Sequence, residues 1–278
     1  MADRLLNYLS GFVLIVIFVL FSDPTQRIWI IAALVLSLAA VAFTLLNNSL
    51  SIDGAAAALA AGTLAMGLGH ATGAVLLLFF FFSSYLLARW LDKKGDNRAQ
   101  KVSERRKGVQ VWANLFWFLL LLVLWALLGS NWMLVAAAAS ISAAASDTWA
   151  SASGERLSAH ARLITTFRKV RSGTDGAVSV PGTLAGLAAA FIMALLFMLA
   201  GWTLDFRAAA VIMISAFSGC IADSYLGAIF QVHKVMHRLI LFTRNYPVIK
   251  PLKRLVPDNN GVNFLATGIA ALIAYMLY

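Results

Sequence analysis

The chain has 278 residues, 61% of them hydrophobic and only 12% charged, and its apolar runs reach the roughly 20 residues that cross a bilayer as a helix. This excludes a soluble globular core, and the lack of apolar/polar alternation excludes a transmembrane β-barrel. The net charge of +10 sits in the connections between apolar runs, which points to anionic lipid, lipid phosphate or nucleotide phosphate and not to nucleic acid.

In chain order the pattern predicts about nine spans in one all-α, polytopic transmembrane bundle covering residues 1–278. The first, Leu5 to Phe21, lacks a small-residue cleavage site and reads as a retained helix that Asp23-Pro24 ends. Ile28 to Leu46 is the second. A polar turn through Asn47-Asn48-Ser49 and Asp53-Gly54 leads into an Ala/Gly-rich third span, Ala55 to His70, and Ala71 to Trp90 is the fourth, with Phe79 to Phe82 facing lipid or packing. A charged loop from Leu91 to Gly108 precedes the fifth, Gln110 to Leu128. Gly129-Ser130-Asn131 makes a tight turn into the sixth, Trp132 to Ser151. The seventh is Ala177 to Ala200, the eighth Ala208 to Gln231 and the ninth Val262 to Tyr278. The basic, Pro-interrupted stretch from His233 to Asn260 suggests an interfacial amphipathic helix. Cys220 is the single cysteine, and His233 and His237, though at helical spacing, lack the Glu of a zinc-protease motif.

If the N-terminus and the loops at 89–108, 151–177 and 231–260 share one side, that side holds all of the 22 Lys and Arg except Arg27 and Arg207. By the positive-inside rule it is cytosolic, which for a prokaryotic chain means the inner membrane with the site facing the cytosol. The same arrangement gathers Asp53, Asp147, Asp175 and Asp223 on that side. A carboxylate within a span costs at least about 2.5 kcal/mol unless paired, metal-bound or hydrated, so Asp147 and Asp223 are candidate functional residues. Asp53-Gly-Ala with Asp147-Thr-Trp is faintly echoed by Asp175-Gly-Ala with Asp223-Ser-Tyr, as paired ligand sets from an internal duplication would be.

The most informative stretch runs from Ser146 to Thr183, placing Asp147, Glu155 and Asp175, several Arg and Lys, and a Gly/Ser/Thr loop between two apolar segments. Gly173 and Gly176 allow backbone N–H groups to approach an anion, Thr174 and Ser179 add hydroxyls, and the helix expected after Asp175 offers its N-terminus to negative charge. Asp147, Asp175 and Asp223, with Glu155 and Asp53 in reserve, are the oxygen ligands Mg²⁺ prefers. Arg105, Arg106, Lys169 and Arg171 are candidate phosphate ligands. Asn114, an amide inside an apolar helix, requires a partner, and Asn259, Asn260 and Asn263 crowd the start of the last span.

As an ordered set, Phe79 to Ser84, Glu104-Arg105-Arg106 with Gln110 and Asn114, Ser146-Asp147-Thr148-Trp149-Ala150-Ser151, Gly173-Thr174-Asp175-Gly176 with Ser179 and Gly182-Thr183, and Ala222-Asp223-Ser224-Tyr225-Leu226-Gly227 with Gln231 resemble the integral-membrane family that contains plant and cyanobacterial phytyl-phosphate kinases. Ala177-Val178 stands where that family leads one to expect Gly-Val, and the basic loop before Arg105 is long. The resemblance implies phosphorylation of an isoprenoid monophosphate, of the phytyl, geranylgeranyl or farnesyl type, by CTP or another nucleoside triphosphate with Mg²⁺. The tail would lie along the small-residue surface of the third and seventh spans, and a homo-oligomer is compatible with this reading. Two other functions use the same residue types. A CTP-dependent cytidylyltransferase acting on a lipid phosphate needs similar ligands, and a transporter of a phosphorylated lipid or small anion also employs intramembrane carboxylates.

Overall fold

A computed structural model describes residues 11–12, 15–16, 24–94, 105–201, 205–232 and 257–278. The predicted first span, most of the 89–108 loop and the expected interfacial helix within 233–256 lie largely outside the described residues. The fold is a helical bundle of α1 (Pro24–Leu46), α2 (Ile52–Lys94), α3 (Gly108–Leu128), α4 (Asn131–Leu157), α5 (Val180–Ala200), α6 (Phe206–Gly227) and α7 (Asn259–Leu277). Among the described residues six helices are long and apolar enough to cross a membrane, all of these but α4. That count takes α2 once and leaves out the predicted first span, which lies largely outside the described residues, so it does not confirm the nine expected spans. The protein is an integral, multi-pass membrane protein.

The 43-residue α2 is not straight: His70 has φ 46° and ψ −133°. A β-carbon on Gly73 would overlap the carbonyl of Ala65, although in a continuous helix residues eight apart stand about 12 Å from one another. The chain therefore folds back at His70, the boundary expected between the third and fourth spans, and the small residues around it permit the close approach.

α4 lies at the centre, packed against α2, α3, α5, α6 and α7. From Val135 to Ser146 every residue is buried, which only a helix of Ala and Ser side chains allows with neighbours on all sides. Ser146 Oγ donates to the Gly186 carbonyl at 2.8 Å. A β-carbon on Gly182 would fall 2.9 Å from the Ala150 carbonyl, and one on Gly219 2.8 Å from Ala143 Cβ, so bare backbone draws α5 and α6 against α4.

The connection after α4 departs from the predicted pattern. Ala161–Leu163 (β1), Lys169–Val170 (β2) and Ala177–Val178 (β3) form an antiparallel sheet in the order β2-β1-β3. The apolar pair at 177–178 extends this sheet and does not begin the seventh helix. α5 starts at Val180, where Ser179 Oγ accepts from Gly182 N and a proline occupies the first turn. α6 runs on from Gly227 into a π-helical turn, Ala228–Val232.

Candidate active site

A cavity of about 360 Å³ opens at the end of the bundle that carries the sheet. Its walls come from α4, the segment between Gly173 and Thr183, α6 with its π turn, and the first turns of α3 and α7. Asp147, Asp175, Asp223, Glu155, Arg106, Asn114, Gly173, Thr174, Gly176 and Ser179 all line it. The spacing along α4 and α6 brings carboxylates from distant parts of the chain to one place.

Asp147 of α4 and Asp223 of α6 are in hydrogen-bonding contact, and Asp175 lies near enough to Asp223 to repel it. Two carboxyls so close require a shared proton or a cation between them. With amide orientations assigned from their neighbours, Asn263 donates to Asp223 Oδ1 at 3.0 Å and to the Asn259 carbonyl at 3.1 Å, and its oxygen lies 3.2 Å from the Asn114 amide. Gln231 donates to both Asp175 oxygens, at 2.8 and 3.0 Å, and accepts from Asn259 N at 3.1 Å. This network ties α3, α4, α6, α7 and the glycine loop together, so the position of each carboxylate depends on all of them. Gln231 and Asn263, which the sequence places only near the other polar residues, are the side chains that orient Asp175 and Asp223. The signal was their helical spacing, two turns from Asp223 to Gln231 and one from Asn259 to Asn263.

The glycine loop is conformationally demanding. Gly173 has φ 81° and Gly176 φ 71°. A β-carbon on Gly173 would touch the Glu155 side chain at 3.2 Å, whereas Gly176 is packed against Ala228. Thr174 Oγ1 donates to the Arg171 carbonyl at 2.7 Å, closing the turn.

Four of the predicted site residues stand outside the cavity. Asp53 accepts from Ser51 Oγ at 2.6 Å and from the backbone N–H of Gly108 at 2.9 Å, so it joins the N-termini of α2 and α3 and does not line the cavity. Arg105 is exposed and donates to Asn48 Oδ1. Lys169 lies on β2 opposite Arg162, exposed, and Arg171 is exposed beyond the same strand. Arg106 alone of the four predicted basic ligands reaches the site. Its backbone is held by Ser49 and Ser51, through Arg106 N to Ser49 O at 3.0 Å and Ser51 N to Arg106 O at 3.0 Å. Burial lowers its pKa from the ordinary arginine value, but the guanidinium keeps its charge at any physiological pH.

Residues 35–271 match the family of integral membrane proteins DUF92. The chain belongs to this family. Over 207 residues, 73% of this chain and 75% of the relative, it is 33% identical to an uncharacterized membrane protein of Methanocaldococcus jannaschii. It is 31% identical to Protein PGR of Arabidopsis thaliana over 250 residues, 79% of this chain and 86% of that protein. Protein VTE6, chloroplastic, of Arabidopsis thaliana is 30% identical over 196 residues, 67% of this chain and 58% of that protein. No solved structure matches significantly. All the cavity residues named above lie within the matched family region.

Proposed function

We propose that this DUF92 member transfers the terminal phosphoryl group of a nucleoside triphosphate to an isoprenoid monophosphate, giving the diphosphate. The observation that carries this reading is a polar cavity with an acidic pair and an arginine, sharing Arg106, Gln110 and Asn114 with an adjoining apolar groove. A substrate with an anionic head and an apolar tail matches that junction. The motif resemblance to phytyl-phosphate kinases supports the same chemistry.

Among the described residues no three His, Cys, Asp or Glu side chains stand close enough to hold a metal by themselves. The donor set nevertheless fits Mg²⁺, which is commonly held by one or two carboxylates completed by substrate phosphates. Asp147 and Asp223 would hold it, with Asp175 beside them. A bound Mg²⁺ would offset phosphate charge during the transfer. The attacking oxygen of a lipid phosphate is already anionic, so no strong general base is required of the protein. Its residues supply positioning and charge: Arg106 donates to phosphate oxygens, and Asn263 and Gln231 fix the carboxylates. The cytosolic orientation of the cavity and a preference for CTP belong to this proposal.

The test is product analysis by mass spectrometry, with purified protein in detergent, a panel of prenyl monophosphates and several nucleoside triphosphates. The expected products are the prenyl diphosphate and the nucleoside diphosphate. Pyrophosphate with a CDP-lipid would make it a cytidylyltransferase, and no transfer from any donor would leave the kinase reading without support.

A further inference from the structure

The apolar groove beside the cavity has a definite shape. It runs between α1, the two arms of α2 and the start of α3, with Ala40, Val41, Ala58, Ala61, Leu77 and Phe81 among its walls. At one end stand Arg106, Gln110 and Asn114, which also line the polar cavity, and Met66 lies about 12 Å along α2 from Ala58. The groove has a volume of about 80 Å³ and is open along part of its length. A cationic guanidinium at the mouth and apolar side chains behind it suit an amphiphile entering with its anionic head toward Arg106. An open groove of this size encloses only part of a long tail and lets the rest leave it.

Resting on the proposed kinase reading, we propose that this groove binds the isoprenoid substrate by the part of the tail next to the phosphate, leaving the remainder in the bilayer. The protein then selects an apolar monophosphate by its head and its first isoprene units and is indifferent to overall chain length. The seventh predicted span, corresponding to α5, contributes nothing to the groove, which revises the tail path expected from small-residue composition. Specificity is set where α1 and α2 face the start of α3, away from the carboxylates.

Photolabelling tests this without requiring turnover. Two geranylgeranyl monophosphates are used, one with a diazirine in the unit next to the phosphate and one with it at the far end of the tail. The proximal probe should label the Ala58–Met66 and Leu77–Phe81 segments, competed by unlabelled farnesyl phosphate, and the distal probe should label detergent and outer helix surfaces. Ala58→Leu, which narrows the groove, should reduce proximal labelling about tenfold, and Met66→Trp serves if that variant does not fold. In parallel, the parent's kcat/KM should level off once the tail exceeds the groove. Groove labelling by the distal probe, or proximal labelling spread evenly over α5, overturns the proposal. Competed proximal labelling in a protein that phosphorylates no prenyl phosphate upholds the groove and removes the kinase reading, so the two fail separately.

Discussion

Gly176 and Ala228 are in contact across the cavity wall: a β-carbon on Gly176 would lie 2.5 Å from both the Cβ and the backbone nitrogen of Ala228. The loop that carries Asp175 is thereby seated on the π turn that carries Gln231, and Gln231 grips both oxygens of Asp175. The sequence suggests for Gly176 either a positive φ or a phosphate against its bare Cα; φ is 71°, and the close neighbour of that position is the protein itself.

Gly176→Ala should therefore destabilise the protein before any ligand is present. A non-glycine residue at φ 71° costs on the order of 1 kcal/mol, and relief of the contact with Ala228 adds to it. Thermal melting in detergent without nucleotide should show a lower midpoint, and turnover should fall as Gln231 loses its register with Asp175. An unchanged midpoint with lost nucleotide binding would restore the phosphate-cradle reading.

The parts of this site that could be read from the sequence are those that violate local expectation. Asp147 and Asp223 announce themselves because a carboxylate in an apolar helix is costly, and Asn114 for the same reason. Asp53 is chemically identical to them, yet its partner, Gly108, is 55 residues away, and no local pattern reveals that it caps a helix. Lys169 and Arg171 read as phosphate ligands because positive charge near a glycine loop is ambiguous until the strands are placed. Strands of two or three residues are too short for a period to emerge, so the sheet was hidden, and β3 merged into the apolar run of the following helix. Ser179 followed by Pro181 is the local signal for the true start of α5, which the expected span from Ala177 overlooks. The fold-back at His70 was legible from composition, since only small residues allow two arms of one helix to meet so closely.

Among the basic residues the structure separates one from three. Arg106→Ala should raise the KM for a phosphate-bearing substrate about ten- to a hundredfold, the loss of roughly 1.5–3 kcal/mol for charged hydrogen bonds. Arg106→Lys should recover only part of it, because the planar fork is lost. Arg105→Ala, Lys169→Ala and Arg171→Ala should each change KM by no more than about twofold, as surface substitutions do. Steady-state kinetics of the five variants decides the matter: equal effects from Arg106 and Lys169 would mean that bulk positive charge, and not position, is recognised.

Asp53→Ala should behave as a lost helix cap. The Gly108 N–H would lose its acceptor and α3 would lose its link to Ser51 and the start of α2, costing about 0.5–2 kcal/mol of stability. The denaturation midpoint should drop while the KM for nucleotide and the response to Mg²⁺ stay near those of the parent. A normal midpoint with impaired Mg²⁺ activation would return Asp53 to the metal-ligand set.

The decisive contact for the proposed chemistry is that between Asp147 and Asp223. Their carboxyls approach within hydrogen-bonding distance, with Asp175 adding repulsion at Asp223. In EDTA this arrangement concentrates like charge in a half-buried place, so Asp147→Asn or Asp223→Asn, which keeps size and hydrogen bonding, should leave the protein as stable as the parent or more so. Turnover should fall on the order of 10²–10³-fold, the effect of removing one preorganised charge from a reaction centre. Titrating Mg²⁺ separates a ligand from a merely repulsive neighbour: a cation that binds only the folded state raises the parent's melting midpoint with concentration, and each Asn variant should need far more Mg²⁺ for the same rise. Parent and variants responding identically to Mg²⁺ would show that the pair shares a proton and holds no metal, and the positioning of phosphate would then rest on Arg106 and the glycine loop.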